Sequence, residues 1–134
     1  MKTEKSVMGI VFCDDKVLVL QNDEEEWVFP KGHQEENETD VETACREVLE
    51  ESGVAVAAQF LRGYVGKFDF VFHSKDTDIQ KIIYVYAFAL SAEQPIQITE
   101  KNFLSGRWME IGEARTKLAH EDAKAVLERA IQMK

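Results

Sequence analysis

The stretch IQKIIYVYAFAL, residues 79–90, constrains the fold more than any other part of the chain. Successive side chains of a strand point to opposite faces of its sheet. Here both alternating sets are apolar: Ile82, Tyr84, Tyr86 and Phe88 on one, Ile83, Val85, Ala87 and Ala89 on the other. A strand apolar on both sides is covered on both sides, so the sheet that holds it carries other elements above and below.

The remaining pattern supplies those elements. Val7–Phe12 and Lys16–Gln21 are β-branched runs separated by Cys13-Asp14-Asp15, which predicts a hairpin. A short strand at Trp27–Phe29 ends at Pro30, and Lys31–Glu38 reads as a loop. Thr39 with Glu42 is a capping-box signature and Gly53 suits a left-handed C-terminal cap, so a helix runs between them. Its stripe is Val41, Ala44, Cys45, Val48 and Ser52. Further strands are expected at Gln59–Phe72 and Gly106–Glu110, with a polar turn at His73–Asp78 and a last helix at about Glu121–Met133. Phe68, Phe70 and Phe72 alternate in strand fashion and read as core, with a platform for stacking a ligand as the alternative. Strands, helix, strands, helix in that order give an α/β (α+β) domain over residues 1–134, a mixed β-sheet sandwiched between helices.

Size and charge narrow the function. A chain of 134 residues fits one domain, and a net charge of −9 argues against long nucleic acid, whose phosphates the overall field repels. Two cysteines make neither a disulfide framework nor a paired zinc motif. No apolar run approaches the ~20 residues of a membrane span, and Met1–Ser6 lacks the features of a signal peptide. The expectation is a cytoplasmic protein with no membrane partner, monomer or homodimer.

The chemistry-bearing segment lies on the first helix. With Val41 at zero and about 100° per residue, Glu47, Glu50 and Glu51 fall at about 240°, 180° and 280°, together beside the apolar stripe. As a solvated charge run this arrangement is unfavourable. The pairs 47/50 and 47/51 repel by about 0.2–0.5 kcal/mol each. The helix C-terminus disfavours anions by about 0.3–1 kcal/mol more. A hard divalent cation would convert both penalties into binding energy.

Read as Gly32, five residues, Glu38, seven residues, then Arg46-Glu47-Val48-Leu49-Glu50-Glu51-Ser52-Gly53-Val54, the segment resembles the Nudix box at each defined position. The resemblance implies a MutT-like Nudix hydrolase with the Nudix fold, acting on nucleoside diphosphates linked to another group. It implies Mg²⁺ as cofactor, with Mn²⁺ able to substitute. Glu50 and Glu51 would be the main ligands, Glu47 a further ligand or the general base, and the Gly32 carbonyl part of the shell. Arg46 would orient the carboxylates, Glu38 would assist from the loop, and Gly53 would close the box structurally. Glu42, Glu35 and Glu36 are left to capping and solvated loop charge.

Trp27-Val28-Phe29-Pro30-Lys31-Gly32-His33 is similar to the Trp-x-x-Pro-Lys-Gly-His stretch of diadenosine tetraphosphate hydrolases, the asymmetrical bis(5′-nucleosyl)-tetraphosphatases. That likeness implies Lys31 and His33 as polyphosphate donors. Lys81-Ile82-Ile83-Tyr84 resembles the strand that brings a tyrosine to the nucleobase; Tyr84 as base contact and Tyr84 as core aromatic stand open. Many relatives carry another glutamate where this chain has Asn102, and Glu100 lies two residues earlier, so the general base is Glu47 or Glu100. The implied reaction is diadenosine tetraphosphate to ATP and AMP. A broader pyrophosphohydrolase of nucleoside triphosphates, damaged nucleotides or RNA 5′-ends, and a non-catalytic binding module, are the other readings.

Overall fold

The protein is described here through residues 1–133 of a computed structural model. β1 (Lys2–Cys13) turns at Asp14-Asp15 into β2 (Lys16–Asn22), with Cys13 paired to Lys16. Asp14 takes φ 53°, a left-handed conformation that aspartate tolerates in tight turns. β3 is only Trp27–Val28, on the outer side of β2. Lys31–His33, expected as loop, is a strand, β4, antiparallel to β1 through Met8, Val7 and Ser6.

α1 (Asp40–Ser52) begins and ends as its caps dictate. Thr39 Oγ1 accepts the Glu42 N–H, and the Glu42 carboxylate accepts the Thr39 N–H, an arrangement worth about 1 kcal/mol. Gly53 at φ 77° donates its N–H to the Leu49 carbonyl at 2.8 Å, a conformation only glycine adopts without strain. A single 3₁₀ turn, Ala58–Phe60, leads into β5 (Leu61–His73). β5 pairs along its length with β6 (Asp78–Leu90), so the turn is shorter than the expected His73–Asp78 link. β7 (Phe103–Glu110) lies against β2, then come α2 (Ile111–Lys117) and α3 (Glu121–Ile131). The sequence reading missed α2.

The sheet is mixed. Its main order is β3-β2-β1-β6-β5, with β1 parallel to β6 and the other pairs antiparallel. Val7, Val11 and Phe88 meet Ala44 and Val48 of α1 on one face. Met8, Ile10, Ile83 and Val85 share a cluster with Ala123, Val126 and Leu127 of α3 on the other. β6 is thus covered on both sides, as its doubled apolar pattern requires. β5 departs from expectation: Phe68 is partly buried against the core, but Phe70 and Phe72 are 40% and 50% exposed. The aromatic run is therefore not core beyond Phe68.

Candidate active site

α1 presents its carboxylates to β4. The Lys31 N–H donates to Glu51 Oε1 at 3.1 Å, which pins the buried end of the helix to the strand. Gly32 lies so close to Glu47 that a Cβ there would sit 2.0 Å from the carboxyl carbon. Glu51 is 8% exposed, and burial, reinforced by the charge of Glu47, pushes its pKa up to about 8. Glu47 is raised too, first by burial, against the pull of Arg46. Glu50 is half exposed. The charge of Glu100 contributes to the rise of both Glu47 and Glu51, so the approach of the segment before β7 brings it into the same field.

Arg46 is the hub. Its guanidinium donates to Glu38 at 2.7 and 3.0 Å, to Glu47 at 2.8 Å, to Glu50 at 3.2 and 3.3 Å, and to the His33 carbonyl at 2.8 Å. It holds the Glu38 carboxyl down at about 2. Buried Thr43 adds a hydroxyl donor to Glu38 at 2.9 Å, a contact that no sequence signal indicated. Glu35, assigned to solvated loop charge, also reaches Arg46 at 3.3 Å.

With Arg46 between Glu47 and Glu50, the described residues contain no three His, Cys, Asp or Glu side chains already gathered around one point. The donor set nonetheless suits a hard cation: hard carboxylate oxygens, one desolvated and kept near neutrality by its surroundings, beside a backbone approach that admits no side chain.

The other expected residues divide by sheet face. Lys31 pairs with Met8 and His33 with Ser6, and Glu4 pairs with Lys81, so Lys31, His33 and Lys81 share the α3 side of the sheet. Glu4 lies 3.9 Å from both His33 and Lys81. Desolvation lowers the Lys31 ammonium, and Glu51 draws it back up. Tyr84 pairs with Val7 and so faces the α1 side, where Lys5 and Lys67 lie 4.7 and 5.7 Å from its ring. A cavity of about 860 Å³ runs from Lys31 and Glu51 to Phe68, Phe70 and Phe72, with Asn102 and His120 on its wall. Tyr84 is not part of that wall.

The NUDIX domain matches residues 3–129. The chain belongs to the Nudix family. A pig (Sus scrofa) asymmetrical bis(5′-nucleosyl)-tetraphosphatase is 29% identical over 117 residues, 87% of this chain and 77% of that protein. Among solved structures, the NUDIX domain of Shewanella oneidensis NrtR, in complex with ADP ribose, superposes with a TM-score of 0.80 at 17% identity, covering 98% of this chain and 88% of that one. The E. coli dihydroneopterin triphosphate pyrophosphohydrolase gives 0.76 at 22% identity, covering 98% and 99%. At these identities the solved structures establish the Nudix fold of this chain, a mixed sheet between helical layers. No helix among the described residues is long and apolar enough to cross a membrane.

Proposed function

We propose that this Nudix protein hydrolyses phosphoanhydride bonds of small nucleotides with Mg²⁺, and that its substrate is diadenosine tetraphosphate, cleaved to ATP and AMP. The observation that carries the reading is the carboxylate cluster of α1 folded against β4, with Glu51 desolvated beside the Lys31 N–H and Glu47 against Gly32. Family membership supports hydrolysis of pyrophosphate bonds, and the likeness to the pig tetraphosphatase supports the dinucleotide.

Glu50 and Glu51, with the Gly32 carbonyl, would hold the cation, leaving Glu47 beside them as the base. A bound cation would supply charge neutralisation at the phosphates and a more acidic water. Arg46 fixes the carboxylates through five hydrogen bonds to Glu38, Glu47 and Glu50. Lys31 and His33 donate hydrogen bonds to the remaining phosphates. Glu47 takes the water's proton, a role suited to a carboxylate raised by burial. Glu47→Gln should then lower kcat by about 10²–10⁴-fold and flatten the acidic limb of the pH profile, with Glu100→Gln milder on both counts. A reversed ranking would make Glu100 the base.

Metal binding should also depend on pH. The folded, metal-free pKa of Glu51 lies above the usual carboxylate value, so the folded state holds a proton between about pH 4.5 and 8 that the unfolded chain has lost. That contribution to stability is present at low pH and lost as pH rises through 8. The cation must displace the same proton, so its affinity should climb by up to about tenfold per pH unit below 8 and then level off. The rise in melting temperature caused by Mg²⁺ should be larger at pH 8 than at pH 6. An equal rise at both would show that Glu51 is ionised before the metal arrives.

The substrate is tested by incubating the protein with diadenosine tetraphosphate and Mg²⁺ and identifying the products. ATP and AMP in equal amounts are expected. Two ADP, or no product from folded protein, overturns the assignment. Pyrophosphate release from a nucleoside triphosphate at higher kcat/KM than from the dinucleotide would instead select the broader pyrophosphohydrolase.

A further inference from the structure

Phe70 and Phe72 stand out because the covering of their sheet face gives out along β5 just before them. Phe68 is partly buried against the core and Ile83 is 1% exposed, yet the next two rings along β5 are 40% and 50% exposed. All three phenylalanines line the cavity that also holds Lys31 and Glu51. The apolar wall is therefore continuous with the proposed phosphate end, and an occupant anchored there by phosphates has its remaining bulk beside the rings.

Register gives the span. His33 pairs with Ser6, Ser6 with Ile83 and Ile83 with Phe68, three strand spacings or about 14 Å, and Phe70 and Phe72 lie further along β5. Lys81 stands two residues along β6 from Ile83, opposite Phe70 and with its Nζ 5.3 Å from the centre of the Phe72 ring. Its flexible stem allows the ammonium to exchange that ring for a phosphate oxygen, which frees the ring face. A nucleoside must carry several phosphates to cover this distance.

We propose that Phe70 and Phe72 are the platform on which the substrate's nucleobase stacks, with Lys81 guiding the polyphosphate toward Lys31 and the α1 carboxylates. The inference rests on the nucleotide reading above and relocates the base from Tyr84, on the opposite face. Aromatic stacking takes any base, so the platform selects for a base-bearing polyphosphate over an inorganic one rather than for adenine.

Calorimetric titration with ATP and with inorganic triphosphate, using Ca²⁺ in place of Mg²⁺ to hold turnover down, tests it. The double variant F70A/F72A is expected to bind ATP about ten- to a hundredfold more weakly. Its affinity for inorganic triphosphate should stay within about twofold, because only the base contact is lost. Both rings are exposed, and an unchanged melting temperature verifies that the variant folds. Unchanged ATP affinity, an equal loss for both ligands, or a selective loss in Tyr84→Ala instead overturns the platform while leaving the hydrolase reading intact. A concentration-dependent dimer abolished in the double variant, with ATP affinity unchanged, would assign the rings to self-association and also overturn it. If the wild type binds neither ligand, the nucleotide reading falls and the platform with it.

Discussion

Glu51→Gln is expected to lower kcat by about 10³-fold and, in the metal-free protein above pH 8, to raise the melting temperature. The two effects have one cause. Glu51 is 8% exposed and shifted to about 8, mainly by burial, so its charged form is costly to the fold and useful only to a cation. Glutamine keeps the acceptor for the Lys31 N–H and never ionises. Loss of an anionic ligand removes several kcal/mol of charge stabilisation from the transition state, and about 4 kcal/mol corresponds to 10³ in rate. Below about pH 4.5 the group is protonated in the folded and the unfolded chain alike, so the two metal-free proteins should melt together there, and the gap should open as pH rises from about 4.5 to 8. Steady-state kinetics with thermal melts in chelator at pH 4 and 9 would check both halves. Turnover near wild type from a folded variant would remove Glu51 from the ligand set.

Gly32→Ala is the second large effect, and it separates folding from catalysis. The added Cβ would lie 2.0 Å from the Glu47 carboxyl carbon and 2.2 and 2.3 Å from its oxygens. The obstacle is the far end of a flexible side chain, so the carboxylate swings aside and the strand stays. We expect a fall of about 10²-fold in kcat/KM, of the size seen when one preorganised group of a catalytic site is displaced. The melting temperature should change little. A loss of stability without a selective loss of rate would mean that β4 moves instead of Glu47.

What could be read from the sequence was local. Thr39, Glu42 and Gly53 fix the ends of α1 through contacts made within a turn or so of themselves, and the helical period alone places Glu47, Glu50 and Glu51 together. β6 declares two covered faces through its alternation. The misreadings share a different origin. β4 is three residues long and exists because β1 offers it partners more than twenty residues away, a distance that periodicity cannot see. α2 has seven residues, a glycine at its second position and no side-chain cap. Alternation assigned Phe68, Phe70 and Phe72 to one face correctly, but not how far along β5 the covering extends. The same parity left Tyr84 without a side, since period two does not say which helical layer lies over which face. The approach of Glu100 to the carboxylates likewise depends on a loop whose path no residue in it announces.

The bridging guanidinium of Arg46 has a consequence for the order of assembly. A chain that gathered three glutamates on one helix face with no internal counter-ion would carry their whole mutual repulsion into the fold until a metal arrived. Here one side chain spans Glu38, Glu47, Glu50 and the His33 carbonyl, so part of the cluster's negative charge is already offset in the fold. Folding and loading would then be separate events: the scaffold forms first, and an ion would enter later by exchange against a tethered cation that remains at hand. Such a centre could be emptied and refilled repeatedly without the domain coming apart.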